Sequence, residues 1–360
     1  MNIVESTRLY ERWLEGSFTP LAADLGRKHE QMAADAFTFL RGTFYRWAQL
    51  WEDVPSKVRR APDVLGVGDA HVENFGTWRD SEGRLVWGVN DFDEAARMPY
   101  TNDLVRLATS AALARVEGLL ALSPQKICPA ILIGYEGALR QGGRAIVLDS
   151  GPVWLRDMAW TDLRNPDKYW RRLLALPPWR GTVPRRARTL LEAIDPPARL
   201  LRIIHRVSGV GSLGRPRLTA LYVCAGGLAA REVKARAPSA WRWAQRDVRE
   251  SDQGVLPHIW RQAVRSQDPF LYASRRWLCR RLAPDCSRID LASIPHRRNE
   301  AALLTAMGWE LANIHLGSRP ARRLLDHLGT LDAHWLPQAA TRMAVATRHD
   351  FAQWAKTERH

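Results

Sequence analysis

A run of strand-like segments in the middle of the chain most constrains the fold. Residues 200–236, LLRIIHRVSGVGSLGRPRLTALYVCAGGLAAREVKAR, alternate β-branched and apolar residues with glycine-rich turns, and this pattern predicts three consecutive antiparallel strands. Residues 269–283, PFLYASRRWLCRRLA, predict two more strands. The pattern is helical on both sides, over residues 21–51 and from about residue 299 onward. This segregation of strands and helices indicates an α+β fold.

Composition restricts the class of protein. Hydrophobic residues make up 46% and charged residues 25% of the 360-residue chain, as in globular proteins. The net charge of +15 favours an anionic partner, although solubility alone also explains charge that is spread along the chain. Four scattered cysteines and an N-terminus without an apolar signal segment predict a cytoplasmic protein. The longest apolar stretch, residues 107–122, is interrupted by Arg115 and Glu117, so we expect no membrane span.

A first polar loop follows the predicted strand DVLGV. The segment GVGDAHVENFG places Asp69 and Asn74 five residues apart on this loop. A carboxylate in such a loop can accept a proton from a hydroxyl, and an amide oxygen can ligate Mg²⁺. Both residue types are also common turn formers, so this loop alone leaves the two interpretations open.

A second polar loop follows a predicted hairpin, TWRDSEGRLVWGV. The next residues, NDFDEA, contain Asp91 and Asp93. A carboxylate at Asp91 suits a magnesium ion that bridges phosphates. Asp93 either assists Asp91 at the metal or caps the following helix. Together the two loops supply one base and two metal ligands, which are the groups that phosphoryl transfer needs.

This series of motifs resembles the catalytic segment of the protein-kinase-like superfamily. It is most similar to aminoglycoside phosphotransferases and choline kinases, in which a Gly-Asp-x-His-x-x-Asn loop precedes a hairpin and an Asp-Phe/Trp-Asp/Glu motif. The resemblance implies that Asp69 is the catalytic base and that Asn74 and Asp91 bind magnesium. In MPYTNDLVRLAT, Asp103 matches the Asp that opens the next helix, and His71 is a candidate for supporting the loop. The whole chain resembles an uncharacterised bacterial family of that superfamily.

Three further positions affect this interpretation. Val67 stands where the superfamily has a His or Arg, which raises the question of how the loop is braced. Arg41 is interpreted as an ion-paired or surface arginine, with a phosphate contact as the alternative. Glu73 is expected to be solvated.

The nucleotide-binding part must lie downstream, since only 68 helix-like residues precede the catalytic loop. Gly209, Gly211 and Gly214, with Ser212 among them, form a G-x-G-x-x-G motif between two predicted strands. Glycines allow the backbone to approach phosphates closely. Lys234 follows Gly214 by twenty residues and matches the kinase lysine that contacts the inner phosphates. A dinucleotide site would need a helix after the glycines, whereas RLTALYV favours a strand.

The order of these motifs implies a circularly permuted, two-lobed kinase-like fold. The segment GWELANIH resembles the Leu-Ala-x-x-His helix that precedes the catalytic loop in the phosphotransferases, yet here it lies near the C-terminus. We predict a mainly helical large lobe over residues 1–200 and a β-rich nucleotide-binding lobe over residues 201–298. Residues 299–360 are predicted to be helices that return to the large lobe.

Two further positions complete the predicted nucleotide site. Glu250, sixteen residues after Lys234, is a candidate for the glutamate that pairs with the lysine, although RDVRESDQG has the composition of a loop. The adenine-binding hinge is expected near Arg281 to Pro284, after the last predicted strand.

The sequence therefore predicts a phosphotransferase that uses ATP and Mg²⁺. Its γ-phosphate acceptor would be a hydroxyl of a small molecule or a protein. Three alternatives remain: a nucleotide-binding regulatory protein without transfer activity, nucleotidyl transfer by the same site, and a basic nucleic-acid-binding protein. The arginine-rich residues 120–200 favour an anionic, neutral or macromolecular acceptor over a cationic one.

Overall fold

Helices and strands occupy separate parts of the chain. A computed structural model describes residues 1–159, 165–194, 198–246, 254–286, 288, 291 and 299–358. The described residues form fifteen α-helices and ten β-strands. The strands make three sheets, and their neighbouring strands are antiparallel. The predicted α+β class is therefore confirmed.

The N-terminal residues are helical, as their pattern predicts. The helices before the first strand are α1 (Ile3–Glu15), α2 (Ala22–Met32), α3 (Ala36–Gly42), α4 (Phe44–Leu50) and α5 (Ser56–Arg59). The side chains of Asn2 and Asp35 accept hydrogen bonds from backbone N–H groups in the first turns of α1 and α3. Such caps stabilise helix starts and fix where these helices begin.

Short strands carry the two polar loops. They are β1 (Asp63–Gly66), β2 (Phe75–Arg79), β3 (Leu85–Val89), β4 (Ala96–Pro99) and β5 (Ile146–Val147). β2 and β3 form the predicted hairpin, to which β5 adds a third strand. β1 pairs with β4, and Gly66 lies opposite Ala96. The loop that leaves β1 and the loop that enters β4 therefore lie side by side.

Helices from both ends of the chain share one main core. The further helices of this core include α6 (Tyr100–Val116), α7 (Pro124–Gln141), α13 (Glu300–Leu316), α14 (Ala321–Leu328) and α15 (Trp335–Thr357). α13 packs along α7, and α15 packs along α6. Among the described helices, none has both the length and the apolar character needed to cross a membrane.

The strands predicted in the middle of the chain form one five-stranded sheet in the order β6-β7-β8-β10-β9. They are β6 (Ala198–His205), β7 (Arg217–Cys224), β8 (Gly227–Ala235), β9 (Tyr272–Ala273) and β10 (Trp277–Leu282). Two helices, α11 (Ala240–Gln245) and α12 (Val255–Gln262), lie between β8 and β9 along the chain. Because β7 is a strand, the glycine motif is not followed by the helix of a dinucleotide site.

The two faces of this sheet differ because side chains alternate along each strand. On the outer face, Val233 packs in an apolar cluster with Leu191 of α10 (Arg185–Glu192). Glu232 and Lys234 occupy the alternate positions of β8 and are buried on the inner face. The inner face is therefore polar next to the two loops.

Helices from the Pro-, Trp- and Arg-rich segment pack on this sheet. They are preceded by α8 (Val153–Ala159). Leu173 of α9 (Pro166–Ala175) packs with Ile204 and Leu282 on the inner face, and α10 covers the outer face. Residues before position 200 therefore contribute to the core around the sheet, because the apolar parts of both sheet faces must be buried.

Candidate functional site

The first polar loop is braced from beneath by a buried aspartate. Asp103, in the first turn of α6, accepts hydrogen bonds from the backbone N–H groups of Val67 (2.6 Å) and Gly68 (2.9 Å). Its carboxylate is completely buried, so these bonds replace solvation. Val67 is therefore bound to this brace through its backbone N–H. The bond does not depend on its side chain, so an apolar residue at this position is compatible with a braced loop.

A histidine of α13 supports the same aspartate. Nε2 of His315, the last residue of the GWELANIH segment, lies 3.0 Å from Oδ2 of Asp103. Nδ1 of His315 lies 2.9 Å from the hydroxyl oxygen of Tyr135. Helix α13 thus contacts the brace of a loop that lies more than two hundred positions earlier in the chain.

Asp69 projects from this loop toward a buried arginine. Nε and Nη2 of Arg106 donate to Oδ1 of Asp69 at 3.0 and 2.6 Å. Burial raises the pKa of the Asp69 carboxyl, while the adjacent Arg106 guanidinium acts in the opposite direction. Arg106 occupies Oδ1 and leaves Oδ2 as the oxygen that can accept a proton.

Asn74 joins the two polar loops. Its Nδ2 donates to the carbonyl oxygens of Asp69 (2.9 Å) and Asp91 (3.0 Å). Its Oδ1 accepts the backbone N–H of Asp91 at 3.0 Å. This geometry fixes the two loops relative to each other and leaves one lone pair on Oδ1.

Lys234 reaches the second loop from the five-stranded sheet. Its Nζ lies 3.3 Å from Oδ2 of Asp91 and 2.6 Å from Oδ2 of Asp93. Asp93 also lies 3.3 Å from Nη1 of Arg215. Burial acts to raise the pKa of Asp91, but the nearby cations Lys234 and Arg280 outweigh it and hold the pKa below its ordinary value. Residues that are 143 positions apart thus form one charged cluster.

The glycine motif lies over this cluster. Gly209 has a φ of +77°, and a short 3-10 turn covers Val210–Ser212. A Cβ atom at Gly211 would lie 2.8 Å from the carbonyl oxygen of Arg41 and 3.8 Å from Oδ2 of Asp69. Only a residue without a side chain allows the backbone to come this close to the Arg41 carbonyl oxygen.

Glu232 organises the inner face of the sheet, and the sequence did not single it out. Its carboxylate accepts hydrogen bonds from Arg206 (3.0 Å), Arg217 (2.6 Å), Arg280 (2.8 and 2.9 Å) and Thr219 (3.2 Å). Burial would raise the pKa of Glu232, but the three guanidinium groups hold it well below the ordinary value. Nη2 of Arg217 also donates to Oγ of Ser212 at 2.7 Å, which ties the glycine loop to the cluster. Alternation places Glu232 two residues before Lys234 on one face, a signal that was available in the sequence.

A large cavity separates the inner face of the sheet from the β2–β3 hairpin. Its volume is about 1220 Å³, and its wall contains nine arginines and three acidic side chains. Arg206 and Arg280 line it, as do Arg281 and Leu282 of the predicted hinge. Past that hinge, the carbonyl oxygen of Asp285 accepts a hydrogen bond from Oγ1 of Thr77 at 2.7 Å. Such a cationic wall suits an anionic ligand.

A smaller pocket of about 60 Å³ lies between the glycine loop and the first polar loop. Asp69, Asn74 and Gly211 line it, and Asp91 and Ser212 line both this pocket and the large cavity. The two spaces therefore meet beside Asp91.

His71 and Glu73 support the loop at the edge of this pocket. Nδ1 of His71 accepts the backbone N–H of Glu73 at 3.2 Å. Burial and nearby arginines, including Arg41, lower the pKa of His71 well below its ordinary value, which favours the neutral ring. Glu73 was expected to be solvated, and this is wrong, because its carboxylate lies 2.7 Å from Nη1 of Arg41 and is 14% exposed. The ion-pair interpretation of Arg41 is confirmed.

The structure places Gly214 away from the site, excludes the helix-cap role of Asp93, and does not describe Glu250. Gly214 packs against Leu25 and lines neither of the two cavities. Asp93 does not cap α6, because this helix begins after Pro99 without a side-chain cap. The Asp93 carboxylate pairs with Lys234 instead. Glu250 lies outside the described residues.

The donor set fits a magnesium ion that also binds phosphate. Oδ1 of Asn74 has one free lone pair, and the Asp91 side chain is 38% exposed. The Asn74 amide oxygen and the Asp91 carboxylate are therefore both available at the pocket. Within the described ranges, no group of three or more His, Cys, Asp or Glu side chains could hold a metal ion alone. Mg²⁺ commonly binds through one or two protein oxygens, with waters and phosphates as the other ligands.

The fold and site define an α+β protein with an antiparallel sheet facing two polar loops across a cationic cavity. Residues 21–162 are similar to a family described as an uncharacterized protein conserved in bacteria (DUF2252). The matched segment contains both polar loops and ends before the five-stranded sheet. No curated protein and no solved structure matches the chain.

Proposed function

We propose that this protein is a phosphotransferase that uses ATP and Mg²⁺, with a circularly permuted, two-lobed kinase-like fold. One observation carries the proposal: Nζ of Lys234, in the five-stranded sheet, lies 3.3 Å from Oδ2 of Asp91. In protein kinases a strand lysine, a glycine-rich loop, a metal-binding Asp and a loop Asn act on the same nucleotide. The proximity of the two polar loops, Lys234 and the Gly209–Ser212 turn supports the proposal.

The surroundings of this contact suit a nucleotide. The phosphates would lie beside Lys234 and beneath the Gly209–Ser212 turn, and the base would extend into the large cavity toward Arg281 and Leu282. Mg²⁺, when bound by Asn74 and Asp91, would neutralise charge on the outer phosphates. The volume of about 1220 Å³ exceeds the usual range of roughly 300–1,000 Å³ for a small-molecule pocket, which leaves room for an acceptor.

Asp69 would act on the acceptor hydroxyl. Its Oδ2 accepts the proton while the hydroxyl oxygen forms a bond to the γ-phosphorus and the bond to the β–γ bridging oxygen breaks. ADP then leaves with the bridging oxygen. Arg106 holds the carboxylate in place through Oδ1, and Asp103 holds the loop backbone. Catalysis would come mainly from positioning and charge stabilisation.

Nucleotidyl transfer is the second candidate, and the guanidinium groups held by Glu232 favour it. Arg206 and Arg280 line the large cavity, where a nucleotide bound in reverse would place its outer phosphates. The acceptor oxygen would then bond to the α-phosphorus, and pyrophosphate would leave. The two reactions release different products.

Phosphorus NMR of the protein with Mg²⁺ and ATP tests the proposal, with water as the acceptor when no other hydroxyl is supplied. We expect ADP and phosphate from the wild type and a loss of turnover in Asp69→Asn, with ATP binding retained. Asp167→Asn, at an exposed position of α9, is the matched control. AMP and pyrophosphate would favour nucleotidyl transfer. Binding without any turnover would indicate a regulatory nucleotide-binding protein.

A further inference from the structure

Two of the six lysines of the chain are buried. The lysines are Lys28, Lys57, Lys126, Lys168, Lys234 and Lys356. Lys28 and Lys234 are buried, whereas the other four are exposed. Lys234 belongs to the site described above, and Lys28 is not explained by it.

Lys28 lies in α2 and is 2% exposed. Within the described part of the chain, no carboxylate lies within ion-pair distance of its ammonium group. Nζ lies 5.5 Å from the centroid of the Tyr45 ring, a cation–π contact. Burial lowers the pKa of Lys28 from its ordinary value despite the carboxylates of Glu11 and Glu94. A buried cation without a partner destabilises a fold, so its presence needs a reason outside the folding of the protein alone.

The small pocket provides that reason, because Lys28 lines it together with Asp69 and the glycine loop. Arg41 lines the same pocket, and its Nε is buried without a hydrogen-bond partner. A volume of about 60 Å³ holds roughly four to six water-sized atoms. Five carboxylates also line the pocket, those of Asp69, Glu73, Asp91, Asp93 and Glu94, and each pairs with an arginine or with Lys234. A phosphoryl group, with one phosphorus and three oxygens, is of this size and would supply the negative charge that Lys28 lacks.

We propose that Lys28 is a further catalytic residue that binds the phosphoryl group transferred from ATP. Its ammonium group donates to the non-bridging oxygens from the large lobe, while Lys234 contacts the inner phosphates from the sheet. Cations on both sides of the phosphoryl group stabilise the charge that spreads over its oxygens in the transition state. This assignment rests on the proposed function and adds a residue that its sequence motifs do not contain.

Binding of ATP and ADP, each with Mg²⁺, tests the assignment by calorimetry on the wild type, Lys28→Met and Lys57→Met. Only ATP carries the γ-phosphoryl group, so Lys28→Met should weaken ATP binding roughly 10- to 100-fold, as expected for a hydrogen bond to a charged group, and leave ADP binding unchanged. Lys57→Met, at an exposed position, should behave like the wild type with both nucleotides.

The outcomes separate the two proposals. If Lys28→Met keeps the wild-type preference for ATP over ADP, the role of Lys28 is wrong and the proposed function stands. If the wild type binds neither nucleotide, the proposed function fails, and the assignment of Lys28 falls with it. Thermal unfolding without nucleotide is a second readout: Lys28→Met should unfold at a higher temperature than the wild type. A lower unfolding temperature would mean that the ammonium group stabilises the fold, which would overturn the assignment.

Discussion

The substitution Glu232→Gln tests how strongly one buried carboxylate holds the inner face of the sheet. The Glu232 side chain is 1% exposed and accepts hydrogen bonds from three arginines. Glutamine removes the charge and turns an NH₂ donor toward guanidinium donors. Loss of one member of a buried ionic network costs about 3–5 kcal/mol, against a total stability of about 5–15 kcal/mol for a typical protein. We therefore expect a large fall in the free energy of unfolding at pH 7.

Urea unfolding followed by circular dichroism measures this effect. Glu192→Gln is the matched control, since that carboxylate is 54% exposed and pairs with Arg188 on the surface of α10. Its effect should stay within about 0.5 kcal/mol. Coincident unfolding midpoints for the two variants would refute the reasoning.

The same comparison has a defined pH dependence. The folded pKa of Glu232 is depressed, so its stabilising contribution is complete above the unfolded pKa of about 4.3 and is lost as the pH falls toward the folded pKa. The difference in stability between the wild type and Glu232→Gln should therefore narrow below about pH 4. A difference that is independent of pH would contradict the ionised state of this carboxylate.

Three further substitutions test the first polar loop and its contacts. Arg106→Met removes the cation that lowers the pKa of Asp69 against the effect of burial. The acidic limb of the pH–rate profile should therefore move to higher pH. An unchanged limb would mean that Arg106 does not influence the titration of Asp69. Gly211→Ala brings a Cβ atom within 2.8 Å of the Arg41 carbonyl oxygen and should lower the unfolding free energy by about 1–3 kcal/mol. Unchanged thermal unfolding would mean that the glycine loop does not pack this closely against Arg41. Asp103→Asn points an amide donor at backbone donors and should cost about 1–3 kcal/mol, measured by urea unfolding; no cost would mean that the loop needs no brace.

Much of the local structure was predictable because it depends on short-range patterns. Alternation and glycine-rich turns located β6, β7 and β8, and the hairpin was visible in TWRDSEGRLVWGV. The proximity of Lys234 to Asp91 was predictable only through the resemblance to kinases, because no local pattern connects positions 143 residues apart.

Other parts of the site depend on tertiary packing and were missed. No sequence pattern singles out Arg106, yet it is completely buried beside Asp69. Lys28 lies in a helix whose sequence marks neither burial nor a pocket. Asp93 was compatible with a helix cap or a metal contact, and the nearby cations Lys234 and Arg215 decide its environment.

Calorimetry with ATP and Mg²⁺ on the wild type, Asp91→Ala and Lys234→Ala tests the central claim most directly. The claim is that the polar loops and the five-stranded sheet form one nucleotide site. It predicts binding by the wild type that depends on Mg²⁺ and weakens by roughly 10- to 100-fold in each variant, with Lys126→Ala as an exposed control. Wild-type affinity in both Asp91→Ala and Lys234→Ala would contradict the claim.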